Sequence, residues 1–162
     1  SALRHGIEHC NGKYIIMGDA DDSYNFLELS LFIERLQAGY DMVMGNRFAG
    51  GITKGAMPWL HRYVGNPFLS SLGRFLFKNN IGDFHCGLRA FTKKYYNIIN
   101  PQCNGMEFAS ELVALASIHQ MRICEIPVTL YPDGRKRRPH LRSWRDGFRH
   151  MVLLYSLYLL RN

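Results

Sequence analysis

The sequence predicts an α/β fold, and three observations carry that prediction. Short apolar runs of strand type alternate with segments of helical periodicity, giving strand, helix, strand between residues 13 and 44. The first of these runs empties into Gly18-Asp-Ala-Asp-Asp22, which sets acidic residues at the carboxyl edge of a sheet, where open α/β sheets bind their ligands. The third is size: 162 residues, 47% hydrophobic and 13% aromatic, build one core, leave too little for two, and exclude a disordered or low-complexity chain.

Ala2 to Cys10 has helical character and stops at Asn11-Gly12. These opening residues lack a leading Met and the apolar core of a secretory signal, so the chain reads as part of something longer. Lys13 to Met17 is the first strand. Asp22 or Ser23 is placed to cap a helix that carries Phe26, Leu29, Phe32, Ile33 and Leu36 to Gly39, and Asp41 to Met44 is the next strand. Gly45 to Pro67, broken by Gly50-Gly51, Gly55 and Pro58, is expected as a long ordered loop of the functional kind. Phe68 to Phe77 follows as a helix, then a loop through Asp83-Phe-His-Cys-Gly-Leu-Arg89 and a short strand at Ala90-Phe91. Gly105 to Ala116 reads as a helix and Met121 to Leu130 as a strand in which Pro127 marks an edge or a bend. After Gly134 the composition shifts: seven Lys and Arg between 135 and 149 lead into the apolar run Met151 to Leu160.

In extended backbone Asp19 and Asp21 point to one side, and a converging carboxylate pair suits Mg²⁺ or Mn²⁺, hard ions that share oxygen ligands with a substrate diphosphate. The same triplet also suits acids that cap the next helix; its place after a strand and before arginine-bearing loops strengthens the metal reading. Arg47 follows the second strand and Arg62 lies in the Gly- and Pro-rich loop, where a planar guanidinium fork matches phosphate, though each also fits a solvated surface arginine. Asp83 suits a general base or an anchor for an arginine. His85 and Cys86 have no further ligand at metal spacing and read as a packed loop. Glu107 and Glu111 share one helical face, either solvated or turned into the site.

The balance of 20 Lys and Arg against 13 Asp and Glu, net +7, points to a polyanionic partner: nucleic acid, a phosphate-bearing substrate or an anionic membrane surface. Positive charge gathers in the tail ahead of an aliphatic run unsuited to stacking on bases, which argues against a nucleic-acid module. That order suits a segment lying on an anionic membrane, the alternative being a core helix with a charged entrance. No run reaches the ~20 apolar residues that span a bilayer. The four cysteines, Cys10, Cys86, Cys103 and Cys124, form no C-x-x-C pair and fit reduced thiols in a cytosolic setting.

Six ordered blocks then resemble one family. Gly18-Asp-Ala-Asp-Asp-Ser-Tyr24, Met44-Gly-Asn-Arg-Phe48, Ala56-Met-Pro58, His61-Arg-Tyr-Val-Gly-Asn-Pro67, Gly82-Asp-Phe-His-Cys-Gly-Leu-Arg89 and Gly105-Met-Glu-Phe-Ala109 are similar to the inverting family 2 glycosyltransferases. Within them the likeness is to the branch of dolichyl-phosphate mannosyltransferase and the bacterial polyprenyl-phosphate sugar transferases. Tyr131-Pro-Asp-Gly-Arg135 and Pro139 to His150 extend it.

The resemblance implies a GT-A fold with a mixed sheet, of which residues 1–131 are the second half, the nucleotide-binding half being absent, and residues 132–162 a basic helical tail at the membrane interface. A fragment of that kind should bind donor poorly by itself. By the same resemblance Asp19 and Asp21 fall on the metal and diphosphate motif, with Asp21 the more direct ligand. Arg47 and Arg62 fall on arginines facing the acceptor phosphate or the donor diphosphate. Asp83 falls on the acidic position near the sugar, so that Asp21, Asp83 and Arg47 form the catalytic set. Arg89 joins the substrate-binding set, and Arg135 and Arg138 lie in the tail that closes over it. Relatives often carry Gln where Ser23 stands. The implied reaction passes a sugar from a nucleotide-sugar donor to a polyprenyl phosphate, dolichyl or undecaprenyl, at the cytoplasmic face of a membrane, with Mg²⁺ or Mn²⁺. A lipid phosphate with a second pKa of about 6 is already mostly ionised, so no strong base is needed. A family 2 synthase extending a polysaccharide is the rival enzyme reading; the Q-x-x-R-W motif of such enzymes is absent, and Ser143-Trp-Arg-Asp146 reverses its order.

Overall fold

The computed structural model describes residues 2–134 and 143–161. Helix α1 (Ala2–His9) leads into strand β1 (Tyr14–Met17), α2 (Leu29–Gln37), β2 (Met42–Asn46), a one-turn α3 (Arg47–Gly50), α4 (Asn66–Phe77), β3 (Arg89–Thr92), α5 (Lys93–Ile99), α6 (Phe108–Ile118), β4 (Ile123–Pro127) and α7 (Ser143–Arg161). The four strands form one sheet in the order β1-β3-β2-β4, with β3 antiparallel to both neighbours and β2 parallel to β4. The sheet is therefore mixed, as expected.

Side-chain alternation along the strands divides the core into two layers. On one face Ile15, Met42, Met44 and Phe91 pack with Ile7, Tyr96, Ile99 and the inner side of α6 at Phe108, Leu112 and Val113. On the other, Val43, Ala90 and Ile126 meet Phe32 and Leu36 of α2 and Val128 and Leu130 beyond β4. A third cluster, Leu76, Phe77, Ala114 and Leu154, ties α4, α6 and α7 together. Helix α7 is thus packed on the domain along one side.

Several elements differ from expectation. The helix after the acidic motif is capped by Asn25, whose side chain accepts from the Leu27 N–H over a 3-10 turn at Phe26–Glu28, rather than by Asp22 or Ser23. The expected loop 45–67 contains α3, capped by Asn46 at the Ala49 N–H, and a π-helical turn at His61–Gly65 that runs straight into α4. Pro67 sits at the start of α4, where a missing N–H costs nothing. Helix α5 was unread in the sequence because it starts directly at the end of β3, with Thr92 as both last strand residue and cap. Pro127 closes β4, an edge strand, in keeping with its lost N–H. Among the described residues no helix is long and apolar enough to cross a membrane.

Candidate functional site

Because β3 opposes both β1 and β2, strands β1, β2 and β4 share one direction. The segments leaving β1, β2 and β4 and the loop entering β3 therefore meet at a single sheet edge. A cavity of about 930 Å³ opens there, lined by Asp19, Asp21, Arg47, His61, His85 and His150 among its polar residues. Met57, Pro58, Leu60, Val64, Phe68 and Leu69 form an apolar wall, and Phe148 and Met151 of α7 face it.

Local bonding holds the acidic motif in place. Asp21 is nearly enclosed, and its Oδ1 accepts from both the backbone N–H, at 3.2 Å, and the hydroxyl of Ser23. Ser23, where relatives were expected to carry Gln, thus orients the carboxylate before it. Asp22 turns through the left-handed region at φ 59°, a conformation that Asp tolerates better than most residues. The chain beyond β4 is pinned to the same motif: Tyr131 N–H donates to Ser23 O at 3.0 Å and Gly134 N–H to Asp21 O at 2.9 Å. Asp19 lies against Gly87, where a β-carbon would collide with its carboxylate, and Tyr24 Oη accepts from the Gly87 N–H at 3.1 Å.

That arrangement fits a divalent cation. Of the four carboxylates that open on the cavity, Asp19, Asp21, Asp133 and Asp146, the first two come from one short loop, and the backbone at position 87 leaves room for Asp19, giving hard oxygen donors of the kind Mg²⁺ or Mn²⁺ takes from protein while keeping positions for diphosphate and water. No cluster of three or more His, Cys, Asp or Glu suited to a metal occurs among the described residues.

Arg47 enters the cavity from the start of α3. Its Nε and Nη2 donate to Asp83 Oδ2 and Oδ1 at 2.6 and 2.7 Å, and its own backbone N–H adds a third bond to Oδ2 at 3.1 Å. Burial opposes both charges, yet each partner outweighs it: Asp83 holds the guanidinium above its usual range, and Arg47 holds the Asp83 carboxyl below the carboxylate range. The pair occupies one edge of the guanidinium, leaving the Nη1 donors of a fixed, charged fork for an anion in the cavity. Glu125 of β4 in turn accepts from the backbone N–H groups of Gly82 and Asp83 at 2.9 and 3.0 Å.

The other expected site residues lie elsewhere. Asp83 is fully enclosed beneath Arg47 and does not line the cavity, so of its two readings the arginine anchor is the one its geometry fits. Arg89 is fully enclosed as well; it donates to Cys86 O and, at 2.9 Å, to Ala109 O, closing the loop before β3 onto α6 instead of reaching substrate space. Arg62 does not line the cavity either: its Nη1 donates to Ile52 O at 3.3 Å and its guanidinium lies over the Tyr63 ring, because the π turn presents His61 inward. Arg135 and Arg138 fall outside the described residues. Glu111 is buried, accepting from Gln102 and Cys103 N–H at 2.8 Å, while Glu107 pairs with Arg149 of α7.

The sequence offers His85 only as part of a packed loop and gives no signal for His150. His85 and His150, 65 positions apart, both line the cavity and are bridged by Ser110 of α6. No spacing rule links three residues from a loop and two helices; only the fold brings them together.

The comparisons with known proteins point to one family and one fold. The glycosyl transferase family 2 description matches residues 1–99. The low-salt glycan biosynthesis hexosyltransferase Agl6 of Haloferax volcanii is 38% identical over 151 residues, 93% of this chain and 36% of that protein. A dolichyl-phosphate hexose transferase of the same organism is 32% identical over 70% of this chain and 48% of its own length. The polyprenol monophosphomannose synthase of Mycolicibacterium smegmatis is 30% identical over 68% of this chain and 43% of its own. The chain thus spans less than half the length of these relatives. Among solved structures, glucosyl-3-phosphoglycerate synthase from Mycobacterium tuberculosis, in complex with Mn²⁺, UDP-glucose and glycerol 3-phosphate, superposes with a TM-score of 0.64 at 15% identity, covering 99% of this chain and 53% of that one. The fold is GT-A-like, and with a family match over more than half of its residues the chain belongs to glycosyl transferase family 2.

Proposed function

We propose that this chain is the acceptor-side part of a metal-dependent, inverting sugar transferase that takes a sugar from a nucleotide donor and passes it to a polyprenyl phosphate at the cytoplasmic face of a membrane. The observation that carries this reading is one cavity with two chemistries: an acid pair and a fixed arginine at the sheet edge, and an apolar wall facing helix α7. The relatives named for dolichyl-phosphate and polyprenol acceptors support the lipid, and the Mn²⁺ and UDP-glucose complex of a structural neighbour supports the donor class and the cation.

Asp19 and Asp21 would hold Mg²⁺ or Mn²⁺, which when bound offsets the charge developing on the departing diphosphate. Arg47, locked by Asp83, offers its remaining donors to a phosphate oxygen and keeps that anion from drifting. The acceptor phosphate is the nucleophile and is ionised at neutral pH, so none of these residues has to remove a proton. One displacement forms the bond from phosphate oxygen to anomeric carbon as the bond to diphosphate breaks, inverting configuration. Phe68 and Phe148, 57% and 63% exposed, stand at the cavity and suit an isoprenoid chain that enters from lipid. We place the membrane at the outer face of α7, where Val152, Tyr155 and Leu159 recur at helical spacing and are all exposed, with Arg145 exposed on the same helix.

The full-length enzyme, incubated with labelled sugar nucleotides and undecaprenyl or dolichyl phosphate with and without Mn²⁺, should yield label extractable into organic solvent only when cation is present. Label found solely on a water-soluble acceptor would overturn the lipid assignment.

A further inference from the structure

Ser110 stands between two histidines that line the cavity. His85 Nε2 lies 2.9 Å from Ser110 Oγ, the same oxygen lies 2.7 Å from His150 Nδ1, and the two rings meet edge to face with centroids 4.9 Å apart. Ser110 is fully enclosed and His150 is 5% exposed. A hydroxyl has one proton and two lone pairs, and the two imidazoles are the hydrogen-bond partners of Ser110 Oγ among the described residues, so the arrangement that uses its proton donates to one imidazole and accepts from the other. Two arrangements satisfy the chain. In one, His85 Nε2–H donates to Ser110 and Ser110 donates to His150 Nδ1; in the other both directions reverse.

The far nitrogen of His85 decides between them. His85 Nδ1 is the one enclosed side-chain nitrogen or oxygen without a hydrogen-bond partner among the described residues. Orphaned buried N–H groups are rarer in folded proteins than under-satisfied acceptors, so Nδ1 carries the lone pair and the proton sits on Nε2. Ser110 then donates to His150 Nδ1, which leaves the His150 proton on Nε2. Burial and the nearby His150 push His85 down to about 3, and burial lowers His150 too, so both rings are neutral and no extra proton upsets this count.

We propose that His150 is a ligand-binding residue whose Nε2–H, fixed in direction by Ser110 and His85, donates to a phosphate oxygen held in the cavity. A neutral Nε2–H is a donor only, so the group it takes is an oxygen acceptor. Asp146 and Glu107 lie near His150 and Asp19, Asp21 and Asp133 share its cavity, so it is the sugar-transfer reading, with Arg47 and the cation that reading supplies to balance those carboxylates, that makes the acceptor a phosphate oxygen. The identity of the phosphate rests on the sugar-transfer reading: it belongs either to the nucleoside diphosphate or to the lipid acceptor, and the chemistry is the same. Because His150 sits on α7, a phosphate bound there also fastens α7 over the site.

Two measurements on the full-length enzyme test this. Long-range ¹H–¹⁵N spectra of ¹⁵N-histidine-labelled protein at pH 7.5 should show His85 and His150 both neutral and protonated at Nε2, assigned with His85→Gln and His150→Gln. A His150 signal protonated at Nδ1, or doubly protonated, overturns the proposal. Binding of UDP, GDP and farnesyl phosphate in the presence of Mn²⁺ supplies the second readout. His150→Phe should weaken one class of probe roughly tenfold, and His150→Gln, which keeps a neutral donor, should regain most of it. Loss confined to UDP or GDP assigns the leaving diphosphate, and loss confined to farnesyl phosphate assigns the acceptor. Unchanged affinity for every probe in His150→Phe overturns the proposal. Wild-type protein that binds no probe overturns the sugar-transfer reading instead, and the histidine spectrum still supports or overturns the fixed donor.

Discussion

A single carboxylate shows how the site is built. Asp83 is enclosed and spends both oxygens on Arg47, so its part is to aim a guanidinium and keep it charged. Asp83→Asn leaves a buried arginine without its counter-charge and should cost about 3 kcal/mol of stability, together with a raised KM for the phosphate substrate, read by chemical denaturation and initial rates. The double substitution Arg47→Met with Asp83→Leu should recover much of the stability and none of the activity; recovered activity would remove Arg47 from the site. The sequence offered Asp83 as a base or an anchor, and only the bidentate geometry chooses. Asp19 and Asp21 line the cavity just past the end of β1, whereas Arg62 and Arg89 turn to other partners, because a motif fixes where the backbone goes and not which way a long side chain turns. Ser23 was legible only as a departure from Gln; its clamp on Asp21 needs coordinates.

At the scale of elements, strands and most helices were legible from their apolar residues, since α4 buries one face at helical spacing and β1 and β2 are short apolar runs packed on both faces of the sheet. The π turn and α3 were hidden inside a Gly- and Pro-rich stretch, and α5 behind a strand that shares its cap residue. Helix α7 has two apolar sides: Leu154 is enclosed against α4 and α6, and Val152 and Tyr155 face outward. The periodicity of the tail allowed a membrane segment or a core helix, and the inner side fits the latter while the outer stripe leaves room for the former. Spin labels introduced by Val152→Cys and Tyr155→Cys in the full-length enzyme on anionic vesicles should be several-fold more accessible to oxygen than to a polar relaxer. Aqueous accessibility at both positions would place the membrane elsewhere.

Across the whole molecule, the enclosed charges and imidazoles make stability depend on pH. An unfolded His85 takes up its proton as pH falls through 6.5, while the folded one stays neutral to about 3, so the unfolded state binds more protons and stability falls with acidity across that window. His61 and His150, also lowered, add to the slope, and the Arg47-bound Asp83 contributes further loss below its usual 3.8. The melting temperature should decline below about pH 6.5, and His85→Gln should decline less steeply; parallel curves would mean that the imidazole titrates normally in the fold.

The account as a whole stands on twin carboxylates and one guanidinium serving the same cavity. Asp21→Asn in the full-length enzyme, assayed for sugar transfer to polyprenyl phosphate across a Mn²⁺ titration, is the most direct test. The expected result is a fall in kcat/KM of about a hundredfold or more with stability kept. Undiminished turnover with the same Mn²⁺ dependence would contradict it.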